Sequence, residues 1–134
     1  MKLYMLDTNA VGHALRGIPR GVTSQMQLVP AAQVVISVIT EAELRYGLAR
    51  RPEARQLKHT VETFLKQTRS LPWTSAAARI FAEIKADLES RGEPMGTADT
   101  MIAAHALAEH AILVTNDAAF RRIGHLRVQD WTTS

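Results

Sequence analysis

Short apolar blocks and longer helical-period blocks alternate along this chain. Leu3–Leu6 is an apolar run stopped by Asp7. Gln33–Ser37 and Ala111–Thr115 are β-branched apolar runs of strand length, and Ser70–Trp73 is a weaker one shortened by Pro72. Such runs, bounded by polar or turn residues, predict buried strands. Between them the apolar spacing becomes helical. Helices are predicted from Ala10 to Arg16, ending at Gly17, and from Val22 to Leu28, stopped near Pro30. Others run from Ser37 to about Arg50, Pro52 to about Thr68, Thr74 or Ser75 to about Arg91, and Thr97 to about His110. A short helix around residues 118–123 and an edge strand at Leu126–Val128 follow. Strands alternating with helices predict an α/β chain: a mostly parallel sheet in a three-layer sandwich, one domain over residues 1–134.

The phase of four acids adds chemistry to this frame. Asp7 ends the first strand, where Thr8 and Asn9 can cap the next helix. Asp117, after Asn116, ends the fourth. Glu43 falls on the stripe Ile39, Ala42, Tyr46, Gly47, whereas Glu41 shares a face with Arg45 and can pair with it. Asp99 leads the inward face Ile102, Ala103, Ala106, Leu107. In a parallel sheet, strand ends and the helix starts that follow them lie along one edge, where ligands bind. Each acid alone has a structural alternative: a helix cap for Asp7 and Asp117, a favourable helix-dipole position for Asp99, an arginine partner for Glu43. Together they point to one site. Clustered carboxylates repel and do not all ionise unaided. A divalent cation resolves this, and an all-oxygen donor set suits Mg²⁺ or Mn²⁺. Such a site suits hydrolysis of a phosphate ester.

Composition narrows the remaining choices. Apolar residues make up 46% of 134 residues and aromatics 5%, so Ala, Leu, Ile and Val carry the packing. There is no cysteine, which excludes disulfides and thiolate zinc sites and fits a reducing, cytoplasmic setting. No signal peptide and no membrane-spanning run are predicted. Sixteen basic against 13 acidic residues give a net charge of +3, which suits a polyanionic partner or an ordinary surface. A Walker-type phosphate loop and a serine nucleophile elbow are absent. His13, His59, His105, His110 and His125 show no ligand spacing, and His105 and His110 are expected at the surface or its boundary.

MLDTN, ITEAELRYG, GEPMGTADTMIAAHAL and LVTNDAAFRRIGHLRVQDW, in this order and spacing, resemble the PIN-domain ribonuclease toxins called VapC. The segment from about Pro52 to Thr68 carries little of the likeness. The closing DW and the GEPMG loop are most similar to the enteric-type members. The resemblance implies a PIN-like five-stranded parallel sheet and a Mg²⁺- or Mn²⁺-dependent endoribonuclease. It also implies neutralisation by a VapB antitoxin and assembly as a homodimer. It places catalytic and metal-binding roles on Asp7, Glu43 (in Thr40-x-x-Glu43-Leu44), Asp99 and Asp117, of which Asp117 stands where many relatives have Asn. Thr8, Asn9, Thr115 and Asn116 fall at positions lining the site. Enteric-type relatives cut initiator tRNA in its anticodon region, which makes tRNA the expected substrate. Competing readings are a non-catalytic RNA- or protein-binding module of the same fold, and a DNA nuclease, disfavoured by the short chain without a clamp insertion.

Overall fold

A computed structural model describes residues 1–133. Five strands, β1 (Tyr4–Leu6), β2 (Val34–Ser37), β3 (Arg69–Leu71), β4 (Ile112–Val114) and β5 (Val128–Gln129), pair in the order β3-β2-β1-β4-β5. Every pairing is parallel. Helices α1 (Thr8–Arg16), α2 (Arg20–Leu28), α3 (Val38–Ala49), α4 (Arg55–Gln67), α5 (Ser75–Ser90) and α6 (Thr97–Ala108) form the crossovers.

Side-chain alternation along the strands builds two cores. Met5, Val35 and Leu113 face Leu88 of α5 and Ile102, Ala103 and Ala106 of α6, together with Phe120. Leu6, Ile36 and Val114 face the other layer, with Val11 of α1, Val22 of α2, Phe64 of α4 and Trp131. Both faces of the sheet are therefore covered, as a parallel sheet requires.

The strand register decides where the polar ends emerge. Leu6 lies opposite Ile36 on one side and Val114 on the other. Asp7, Ser37 and Thr115 are the next residues of the three central strands and leave the sheet side by side. The Asp7 N–H still donates to the Val114 carbonyl (3.1 Å), so the ladder holds the acid's backbone in place.

Some local expectations change. Asp7 itself caps α1, its carboxylate accepting from the Ala10 N–H at 2.8 Å, so Thr8 is already helical. Gly17, at φ 69°, ends that helix in the left-handed conformation that glycine adopts without strain. Thr97 lies inside α6, and Gly96 precedes it without a side-chain cap. On α3 the inward face is rotated from the expected stripe. Thr40 is buried and Glu43, Leu44 and Leu48 are half-buried, whereas Ala42 and Tyr46 are exposed. Tyr46 instead lies under the Arg50 guanidinium, 5.6 Å from ring centroid to charge. Glu41 pairs with Arg45 at 2.7 Å, as its spacing predicts.

Candidate active site

The carboxyl edge of the sheet collects the acids from four separate stretches of chain. Asp7 is 3% exposed at the end of β1. Burial pushes its carboxyl above the usual carboxylate range. The Thr115 hydroxyl and the Ala10 N–H pull it back down, the Asp117 charge raises it, and His13 lowers it. Asp99 stands half-buried in the first turn of α6. Burial raises its proton affinity first, and the charges of Glu43, Asp7 and Asp117 raise it further. Asp99 thus senses all three other acids.

Glu43 and Asp117, like Asp7, are held by hydrogen bonds. Glu43 takes a hydrogen bond from the Thr8 hydroxyl at Oε1. Asp117 caps the 3₁₀ turn Ala118–Arg122, its Oδ1 accepting from the Ala119 N–H at 2.9 Å. Its own N–H donates to Thr115 Oγ1 at 3.0 Å. Asp117 is therefore both a cap and a member of the acid group. Thr8 and Thr115 are tied to the acids through these bonds, while Asn9 and Asn116 are exposed beside them.

Among the described residues, no three acidic or histidine side chains stand together in ready-made ligand positions. The four acids come within electrostatic reach and stop short of coordination. The donor set itself, oxygen-only and acidic with an adjoining hydroxyl pair, fits a hard divalent cation.

One residue in this region escaped the sequence-based reading. His105 is fully buried, not at the surface or boundary. Its Nδ1 lies 2.7 Å from Ser37 Oγ. Helical phase does not single it out, because burial runs unbroken along α6 from Ile102 to Ala106.

The PIN domain family matches residues 4–126. "Ribonuclease VapC2" of Haemophilus influenzae is 36% identical over 132 residues, covering 98% of this chain and 99% of the relative. "tRNA(fMet)-specific endonuclease VapC" of Shigella flexneri is 34% identical, covering 98% of this chain and 100% of the relative. This chain belongs to the VapC family of PIN-domain ribonucleases. Its fold agrees: a crystal structure of DNA-bound VapBC from Salmonella typhimurium superposes with a TM-score of 0.89 at 32% identity, covering 98% of this chain and 99% of the other. The PIN-like three-layer α/β/α architecture expected from sequence is the one observed. Among the described residues, no helix is long and apolar enough to cross a membrane.

Proposed function

We propose that this chain is the toxin of a type II toxin–antitoxin pair. It acts as a divalent-metal-dependent endoribonuclease on tRNA in the cytoplasm, as a homodimer restrained by a VapB-type antitoxin. The observation that carries the reading is the coupling of Asp99 to Glu43, Asp7 and Asp117 at one sheet edge, in a chain aligned end to end with ribonucleases. A non-catalytic binding module has no need of four inward-leaning carboxylates.

Asp7 and Asp99 would be the principal ligands of Mg²⁺ or Mn²⁺, with Glu43 and Asp117 completing the set. When bound, such an ion neutralises carboxylate and phosphate charge and polarises the phosphodiester. Glu43 is suited to the proton. Its Oε1 is occupied by Thr8, which leaves Oε2 to accept a proton from the attacking water. Thr115 holds Asp7 toward its charged form. The water oxygen would bond to phosphorus as the P–O3′ bond breaks, and the departing O3′ would take a proton from solvent, leaving a 5′-phosphate and a 3′-hydroxyl.

Two surface features support the partners. An apolar trough of Leu15, Leu44, Leu48 and Val61 includes Glu43, with Arg16 and Arg51 on its walls. It suits an apolar antitoxin segment whose own cation could reach the acids and compete with metal. Arg16, Arg20 and Arg50 are exposed and, among the described residues, have no carboxylate partner; they suit RNA phosphates, whereas Arg45 is engaged by Glu41. The tRNA assignment follows the Shigella relative's name, which makes initiator tRNA the first substrate to try. Recognition would rest on tRNA shape and an unstacked loop.

The test is cleavage of an initiator tRNA transcript by the purified chain with Mg²⁺, with end-group mapping of the products. New 5′-phosphates, lost on adding chelator or a VapB-type antitoxin, support the proposal. Cyclic phosphates, or cleavage indifferent to chelator, overturn it.

A further inference from the structure

Helices α3 and α6 carry Glu43 and Asp99, and a buried side-chain contact joins α6 to the residue that caps α3. His105, on α6, is 0% exposed. Its Nδ1 meets Ser37 Oγ at 2.7 Å, across 68 residues of sequence. Ser37 ends β2 and caps α3, accepting from the Ile39 N–H at 3.0 Å. Trp73 packs edge-on against the imidazole, with ring centroids 5.6 Å apart.

Ser37 Oγ accepts from the Ile39 N–H and keeps both its hydrogen and a second lone pair for Nδ1, so the bond forms with either imidazole tautomer. Burial favours the neutral imidazole. Among the described residues Nε2 has no partner in bonding geometry, and the Pro72 backbone raises the ring's proton affinity against the effect of burial. An apolar side chain would fill this space with no polar atom to satisfy. The imidazole therefore asks for a role beyond filling volume.

Its place in the fold supplies one. Glu43 lies six residues beyond Ser37 on α3, and Asp99 six residues before His105 on α6. Each acid is about 9 Å along its helix axis from the contact. We infer that the His105–Ser37 contact is a strut that sets the separation of Glu43 and Asp99, and with it the pocket's hold on a divalent ion. The inference rests on the metal-dependent ribonuclease reading. His105 touches neither the pocket's acids nor substrate, and is a positioning residue.

The experiment is a Mn²⁺ titration of the full chain, read by thermal unfolding without RNA and by single-turnover RNA cleavage. His105→Leu and Ser37→Ala are expected to raise the Mn²⁺ midpoint about tenfold or more in both readouts, the usual effect of losing an outer support. Saturating Mn²⁺ should largely restore cleavage. His105→Asn, whose amide oxygen can take the Nδ1 position, and Ser37→Thr should stay near wild type. A role confined to core packing lowers the melting temperature and leaves the Mn²⁺ midpoint unchanged, which overturns the strut. If His105→Leu does not fold, Ser37→Ala decides, since it removes one oxygen. Wild type that is stabilised by Mn²⁺ but cuts no RNA overturns the ribonuclease reading and leaves the thermal midpoints to judge the strut. Wild type that cuts with Mn²⁺ while both variants share its midpoint overturns the strut alone. Wild type without any Mn²⁺ response overturns both.

Discussion

The Thr8 hydroxyl donates to Glu43 Oε1 across 35 residues of sequence. Thr8 opens α1 directly after Asp7, so one short turn both places the buried aspartate and orients the glutamate. Thr8→Val keeps the shape and removes the donor. Single-turnover cleavage is expected to fall about 10–100-fold, while Thr8→Ser retains most of the rate. Equal rates for Thr8→Val and wild type would remove Thr8 from the site.

Asp7 and Asp99 both bind protons more tightly in the folded chain than an ordinary carboxyl does. A raised folded value means that the protonated form is favoured by folding. The stability it contributes is fully present below the ordinary carboxylate range. It is lost as pH rises through the raised values. Metal-free protein should therefore lose these two contributions on going from acidic toward neutral pH, and divalent cations should offset the loss. Asp99→Asn removes one repelling charge. At neutral pH without metal its melting temperature should exceed that of wild type, while its cleavage is abolished. A lower metal-free melting temperature for Asp99→Asn would contradict the repulsion.

The C-terminal stretch closes the layer formed by α1 and α2. Trp131 is 2% exposed, packs 5.7 Å from Tyr4, and donates from Nε1 to Gln129 Oε1 at 2.9 Å. Gly21 passes so close to this segment that a Cβ there would strike the Trp131 carbonyl oxygen. Trp131→Ala is expected to destabilise by about 3–5 kcal/mol. Gly21→Ala should cost about 1–3 kcal/mol through the forced backbone shift. Denaturant melts measure both, and a neutral Gly21→Ala would show that the segment yields freely.

Much of this is legible in the sequence. Asp7 and Asp117 follow apolar runs, and helical phase turns Asp99 inward, so spacing alone directs these three acids to one edge; the stripe that carried Glu43 is not the face that α3 buries. Local caps were less legible. Asp7, Thr8 and Asn9 are all capping residues, and only the ladder bond that continues β1 through the Asp7 N–H selects the first of them. The α3 face was misjudged because Tyr46 reads as apolar, whereas its ring serves Arg50 at the surface. His105 was misjudged because burying an imidazole requires a partner, and Ser37 is distant in sequence. Contacts of long sequence separation leave no local periodicity to read.

The central claim is that Asp7, Glu43, Asp99 and Asp117 form a pocket stabilised by a divalent ion. Its most direct test is the Mn²⁺-dependent melting temperature of wild type, Asp7→Asn and Asp99→Asn without RNA. Wild type should gain stability with rising Mn²⁺ as mass action requires, and both variants should lose most of that gain. Equal Mn²⁺ stabilisation of wild type and both variants, or none for wild type, would contradict the claim.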